Sequence, residues 1–490
     1  MNPFLLVVDN PDRWPIDVPG VRVVAARTYL SDPAFVENRR FKVLNMCRSY
    51  RYQSVGYYVS LLAGARGHRP VPSVSTILDL KSQSIIRSVS ADLEDTIRHS
   101  LQPLQSDKFT LSIYFARNMA KRHDRLSRAL FNLFPAPLLR AHFRREGEDG
   151  PWSLINISPI ASSDIPEDHR SFVREAATAY FSRPVFARKS RKAYRFDLAI
   201  LVDPREATPP SNERALRLFE KAAENLGIAT ELITAEDYGR LSEFDGLFIR
   251  RTTSVDNYTY RFARKAEAEN LVVIDDPLSI LRCGNKVFLA EVLNRHHITT
   301  PRTLIIHRDN VAAAPGYLGL PLILKQPDSS FSQGVVKAKD ADEYKRLIAE
   351  LLDDSEMVIG QEFLPTPFDW RVGVLEGKAL YVCQYFMARG HWQIYNHDKK
   401  GRDFTGNATT LPLDKAPPAI VETAVKAANC FGNGLYGVDL KEVNGRTVVI
   451  EVNDNPTVDH GIEDEVLQNQ LYEAIMRCFL RRMEAKREAR

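Results

Sequence analysis

The sequence predicts an α/β protein of three consecutive segments, and three observations carry that reading. From Phe196 onward, short apolar runs alternate with amphipathic stretches, the pattern of a parallel sheet with covered faces. An apolar strand, Leu320–Lys325, ends in a lysine and is followed by a run of serines and glycine to Gly334. Near the C-terminus, Gly437-Val438-Asp439 and Val449-Ile450-Glu451-Val452-Asn453 form two apolar strands bearing acidic and amide side chains. At 490 residues the chain exceeds what one hydrophobic core organises, so two or three domains are expected.

The first segment, 1–192, is read as an additional α/β domain. Phe4–Val8 and Val21–Ala26 have strand character; Lys42–Ala65 is read as helical and 82–101 as amphipathic. Asn118–Arg145 is read as a basic helical stretch broken by Pro135 and Pro137, with Lys121, Arg122, Arg125, Arg128, Arg140, Arg144 and Arg145 on it. It is either a solvated face or a surface for an acidic partner. No aromatic interleaving accompanies it, so nucleic acid is not expected as a partner. The Arg188–Lys192 cluster has the look of a linker.

The second segment, 193–285, is a small doubly wound unit. Its strands are Phe196–Val202, Ala229–Ile233, Gly246–Arg250 and Leu271–Ile274. Its helices are Asn212–Leu226, capped by Ser211 and ended by Gly227, and Asn257–Asn270.

The third segment, 286–490, carries the chemistry. Side chains two apart on a strand share a face, so Glu451 and Asn453 point the same way. A hairpin turn at Val443–Arg446 brings Asp439 beside them. Three hard oxygen donors on a rigid sheet suit Mg²⁺ that also holds phosphates. A lysine closing a buried strand, as Lys325 does, needs an anion to meet it. The following Ser329, Ser330, Ser332 and Gly334 allow close approach of backbone N–H groups to phosphate. Lys286, in the first turn of a helix, is a second candidate cation. Gln361-Glu362-Phe363-Leu364 can offer backbone groups and an apolar wall to a base. Asp369 and Arg371 share a strand face: they either pair with each other or serve ribose and an anion separately.

In this order the motifs resemble the ATP-grasp superfamily, and within it the glutamate ligases related to the enzyme that modifies ribosomal protein S6. The resemblance covers about residues 197–480 and includes the second segment as a pre-ATP-grasp domain; the first 190 residues resemble an N-terminal extension found on some of these ligases. It implies an ATP-grasp fold and an ATP-dependent carboxylate–amine ligase working through an acyl phosphate. Lys286 and Lys325 would contact phosphates, Glu362 and Phe363 the adenine, and Asp369 the ribose side. Asp439, Glu451 and Asn453 would hold one or two Mg²⁺ or Mn²⁺ ions. Asn396 resembles the asparagine of the loop before the metal strands, and Arg371 or Arg389 would steady the transition-state oxyanion.

The sequence departs from D-alanine ligases at Gly437, where those enzymes carry arginine, and its flap is richer in serine than in glycine. The expected amine is L-glutamate and the acceptor a peptide, protein or small carboxylate, with a possible homo-oligomer. A kinase without ligation and a non-catalytic nucleotide-binding partner protein are the competing functions. Five isolated cysteines without CxxC spacing, no apolar run near 20 residues and no basic leader lead to a cytoplasmic, non-membrane expectation.

Overall fold

The computed structural model describes residues 4–14, 21–37, 41–145, 147, 150–181, 194–328, 334–389, 391–394 and 406–488. The chain divides into two compact units: 1–193 with 233–245 and 484–490, and 194–232 with 246–483.

In the first unit, β1 (Phe4–Val8), β2 (Arg22–Ala25), β3 (Lys42–Asn45) and β4 (Arg69–Val71) make a parallel sheet of order β2-β1-β3-β4. A second sheet is an antiparallel meander of β5 (Lys108–Tyr114), β6 (Leu138–Arg145) and β7 (Trp152–Pro159). Two expectations fail here. Lys42–Ala65 is not one helix: Lys42–Asn45 is a buried parallel strand, and the helix begins at Val55 behind the cap Ser54. The basic stretch is helical only from a 3₁₀ turn at Lys121–His123 through the α-helix Asp124–Leu133; past Pro135 and Pro137 it becomes β6. Leu139, Ala141 and Phe143 alternate inward there, a period of two. Arg140 and Arg144 therefore belong to a strand and not to a helical basic face. Helices Gln83–Asp92 and Glu94–Leu101 cover the meander as the amphipathic reading requires.

The second unit opens with a sheet of order β11-β10-β8-β9, made of β8 (Phe196–Leu201), β9 (Ile228–Ile233), β10 (Gly246–Ile249) and β11 (Val272–Ile274). β10 runs parallel to both β8 and β11. The helix Glu213–Asn225 is capped by Asn212, whose side chain accepts from the Ala215 N–H. Ser211 donates instead to the Val458 carbonyl, so the predicted cap is one residue early. Gly227, at φ +75°, ends this helix in the left-handed region.

Two antiparallel sheets follow. One has the order β12-β15-β13-β14: β12 (Thr303–Ile306), β13 (Leu322–Lys325), β14 (Val335–Ala338) and β15 (Val358–Glu362). Helix Ala341–Asp354 packs on it through Tyr344, Ile348, Leu351 and Leu352. The other has the order β18-β17-β16-β19-β20: β16 (Phe368–Leu375), β17 (Lys378–Phe386), β18 (Ala408–Leu411), β19 (Leu435–Val443) and β20 (Arg446–Asn453). Trp370, Val372, Val438 and Val452 face helix Pro418–Ala428. Tyr381, Cys383 and Tyr385 face the other way, toward Tyr472 and Ile475 of the long helix Asn469–Glu488. Asn444 (φ 51°) and Gly445 (φ 72°) form the expected tight turn between β19 and β20.

Candidate functional site

The five-stranded sheet lays its charged residues in two lateral rows. Arg371, Asp439 and Glu451 are register partners across β16, β19 and β20. Asp369 and Lys441 form the neighbouring row, two residues along each strand, and their side chains pair. Arg371 does not pair with Asp369. It grips Asp439 through two guanidinium nitrogens, Nη2 at 2.8 Å from Oδ2 and Nε on Oδ1. Spacing put Asp369 and Arg371 on one face; strand register chose their partners. Burial alone would lower the Arg371 guanidinium, but the Asp439 carboxylate against it holds it charged and well above its ordinary value.

A β-bulge follows Asp439. Asp439 opposes Glu451 while Leu440 opposes Val449, leaving Ile450 as the extra residue. Regular alternation would send Ile450 and Glu451 to opposite faces, yet both line one cavity. The sequence carries no signal for this bulge. Asn453 donates from its amide nitrogen to Asp439 Oδ2 (3.0 Å) and the Gly437 carbonyl (3.3 Å), so its amide oxygen is the atom available to a cation.

The other sheet supplies the lysines. Lys325 closes β13 and is only 8% exposed. Burial pushes its ammonium down to about 8, with Glu451 pulling it back up and Lys286 and Lys441 adding to the depression. Lys286 starts helix Lys286–Arg295 and places Nζ 3.1 Å from Glu451 Oε1. Its N–H donates to the Pro327 carbonyl, and Asn285 Nδ2 donates to Asp328. Those contacts anchor the start of the serine-rich run to the helix N-terminus. Burial works to raise the Glu451 carboxyl, and the charges of Lys286 and Lys325 outweigh it, so the group lies below its ordinary value.

Two cavities share this wall. One, of about 150 Å³, is lined by Lys286, Lys325, Asp439, Lys441 and Glu451 at its charged end, and by Gln361, Phe363, Leu364, Ile323 and Ile450 on its apolar sides. The other, of about 180 Å³, has Arg371, Asp439, Glu451 and Asn453 along one side and Thr252, Thr253, Ser254 and Asn455 along another. Polar donors at one end and an apolar slot at the other suit the first cavity to a nucleotide, and the second to a small polar molecule.

The remaining expected residues fall as follows. Glu362 lines the first cavity, but its carboxylate is held by Arg302 N and Nε, both at 2.8 Å, so only its backbone is offered to a base. Asp369 lines the same cavity while paired to Lys441. Gly334 lines neither cavity; at φ +66° its carbonyl accepts from the Gln326 N–H. Arg389 is exposed and lines neither cavity. Ser329, Ser330, Ser332 and Asn396 lie outside the described residues. Gly437 is constrained by space: an added Cβ would meet Pro456 Cβ at 2.7 Å and Arg371 Cδ at 3.1 Å. Arg250 is 1% exposed and bonded throughout to Ser211, Pro210, Asn455 and Pro456. Arg251 is held by Glu206 and Asp203. Among the residues not singled out as ligands by spacing, Lys441, Ile450 and Trp392 line the first cavity.

Residues 283–471 match the family described as "RimK-like ATP-grasp domain", and residues 26–176 match the "RimK-like ATPgrasp N-terminal domain". Together these matches span more than half of the chain. The chain belongs to the RimK-like ATP-grasp family. It is 28% identical over 227 residues to a "Probable alpha-L-glutamate ligase" of Syntrophotalea carbinolica, an alignment covering 46% of this chain and 72% of that one. It is 29% identical over 219 residues to the "Alpha-aminoadipate--LysW ligase LysX" of Saccharolobus solfataricus, covering 43% and 75%. A crystal structure of a RimK domain ATP-grasp protein from Sphaerobacter thermophilus aligns with 57% of this chain and 98% of its own, at 17% identity and a TM-score of 0.45.

This RimK-like ATP-grasp protein is thus an ATP-dependent carbon–nitrogen ligase. Enzymes of the family work with ATP and divalent metal ions. The donor set on β19 and β20 fits such an ion: two carboxylates and an amide, all hard oxygens. Among the described residues no cluster of three or more His, Cys, Asp and Glu side chains forms a cage. Among the described residues no helix is long and apolar enough to cross a membrane.

Proposed function

We propose that the chain joins the carboxylate of one substrate to the amine of another through an acyl phosphate, releasing ADP and phosphate. The amine is L-glutamate by family likeness, and the acceptor a peptide, protein or small carboxylate. The observation that supports this most directly is the shared wall: Arg371, Asp439 and Glu451 border the second cavity, while Asp439, Glu451, Lys286 and Lys325 border the first. A γ-phosphoryl group at that wall faces whatever the second cavity holds.

In this reading Lys286 and Lys325 neutralise the transferring phosphoryl group, which is where phosphoryl transfer gains its rate. Asp439, Glu451 and Asn453 would hold a divalent ion, Mg²⁺ or Mn²⁺, which would supply charge neutralisation of the phosphates beside Lys286, the residue that pairs with Glu451 here. Arg371 stands at the carboxylate side and steadies the oxyanion formed when the amine attacks. Arg389, exposed and outside both cavities, is a second candidate for the same task. By family likeness Ser329, Ser330, Ser332 and Asn396 are nucleotide contacts in the same proposal. The division at residues 192 and 285, and self-association into a homo-oligomer, belong to the same proposal; light scattering reads the latter.

The test is a coupled assay for ADP over amino acids and candidate carboxylates, with mass spectrometry of the product. Release of ADP that needs both an amine and a carboxylate supports ligation. Turnover without an amine would make the protein a kinase, and AMP with pyrophosphate would require adenylation.

A further inference from the structure

The basic residues on β6 form an ordered row. Arg140, His142 and Arg144 alternate with Leu139, Ala141 and Phe143. The apolar set faces the helices that cover the meander, so the basic set shares the opposite face of the sheet. Strand register flanks each basic residue on both sides. Ser112 and Ser158 lie beside Arg140, Thr110 and Asn156 beside His142, and Lys108 and Ser153 beside Arg144. Thr110 Oγ1 and His142 Nδ1 are 3.2 Å apart. Lys108, Thr110 and Arg144 are exposed, and the other six are half-buried. Arg140 Nη2 donates to the Asp164 backbone carbonyl (3.2 Å). Among the described residues, Lys108, Arg140 and Arg144 make no ion pair. No Asp or Glu stands on any of the three strands. The acids of this stretch, Glu146, Glu148 and Asp149, lie between β6 and β7 in the sequence.

We infer that this sheet face is a docking surface for an acidic peptide held in extended form, with carboxylates on alternate residues. The inference goes beyond the ligase reading and depends on neither cavity. Spacing and composition choose the occupant. Side chains on one face of a strand repeat about every 6.8 Å, and alternate side chains of an extended peptide repeat at the same distance. Successive carboxylates of such a peptide can therefore meet Arg140, His142 and Arg144 in turn, with Lys108 beside the last. Guanidinium groups bind carboxylates through two parallel bonds, and the flanking hydroxyl and amide groups add donors to the same oxygens. A single nucleic-acid strand has the charge, but it also needs ring faces on which to stack its bases. The row and its flanks hold no Phe, Tyr or Trp.

The experiment uses the full chain and three fluorescein-labelled probes, read by anisotropy. They are a peptide of alternating glutamate and threonine, its lysine–threonine counterpart, and an oligothymidylate of the same charge as the acidic peptide. The acidic peptide should bind, more weakly as salt rises, and the basic peptide should not. The double substitution Lys108→Glu, Arg144→Glu should weaken the acidic peptide by about tenfold or more, and Arg144→Gln alone by about threefold. The same double reversal at Lys121 and Arg125 should change affinity by less than about twofold, because the helix they begin covers the other face of the sheet. Equal losses at the two pairs would show attraction to net charge alone and overturn the site. No binding of the acidic peptide by the parent, or parental affinity after the Lys108 and Arg144 reversal, would overturn it as well. If the double variant does not fold, Arg144→Gln decides, and parental affinity there overturns the inference. Tighter binding of the oligothymidylate than of the acidic peptide would make the occupant a nucleic acid and refute the peptide assignment.

Discussion

Arg250 offers the sharpest test of how the second unit holds the end of β20. The guanidinium is 1% exposed and spends all three nitrogens on neighbours. Nε donates to Ser211 Oγ (3.0 Å) and Nη1 to Asn455 Oδ1 (2.7 Å); Nη2 donates to the carbonyls of Pro456 (2.8 Å) and Pro210. Replacing it with methionine keeps most of the stem and deletes the charge. Four acceptors, three of them buried and Asn455 half-buried, then lose a charged donor. Each such bond is worth about 1.5–3 kcal/mol in isolation, but they share one side chain and do not add. Breaking a buried charged hub costs about 3–5 kcal/mol, so about 4 kcal/mol is expected for Arg250→Met. For a unit of this size that is a fall in Tm of about 8 °C. Calorimetric or fluorescence melts read the shift. Because Asn455 and Pro456 directly follow β20, which bears the proposed donors Glu451 and Asn453, ATP turnover should fall as well. A Tm change under about 1 °C with unchanged turnover would show that the hub neither stabilises the unit nor positions the site.

Further outcomes follow from the charged rows. Glu451→Gln and Asn453→Ala should each cut turnover by about 100-fold or more, since the first removes a carboxylate charge and the second an amide oxygen from the donor set; near-normal rates in both would remove the metal assignment. Lys325→Met should weaken ATP binding by about tenfold or more while leaving Tm unchanged or raised, because a buried charge is replaced by an apolar stem. In the ligand-free protein the Lys325 ammonium is charged below about pH 8 and neutral above it. Phosphate favours the charged form, so ATP binding should take up a proton above pH 8, and affinity should fall there by up to about tenfold per pH unit. Calorimetry in buffers of different ionisation enthalpy detects that proton; its absence would remove Lys325 from the phosphates. Gly437→Ala should depress turnover, since its Cβ would press on Pro456 and Arg371 together; a parental rate would show that this contact relaxes freely.

Much of the site's membership was legible from local pattern. A lysine that ends an apolar strand, and a Glu-x-Asn on another, are visible because side-chain direction alternates with period two and because buried charge demands a partner. The same rules misread Leu138–Arg145, where basic residues looked like a helix continuing past two prolines. The inward alternation of Leu139, Ala141 and Phe143 was the signal to weigh. Ser211 was taken for a helix cap that Asn212 supplies, since either side chain can cap and only the chain's path decides.

What the sequence determined by itself was which residues carry charge on which strand face. What tertiary structure decided was who meets whom. Strand register gave Arg371 to Asp439 and Asp369 to Lys441, although spacing along β16 would equally have allowed Asp369 and Arg371 to pair. A single bulge turned Ile450 and Glu451 into the same cavity. The loop after β17 brought Trp392 to Phe363 from 29 residues away in sequence. Periodicity is a property of a few neighbouring residues, whereas register, bulge and the facing of two sheets are set by contacts between segments far apart in the chain.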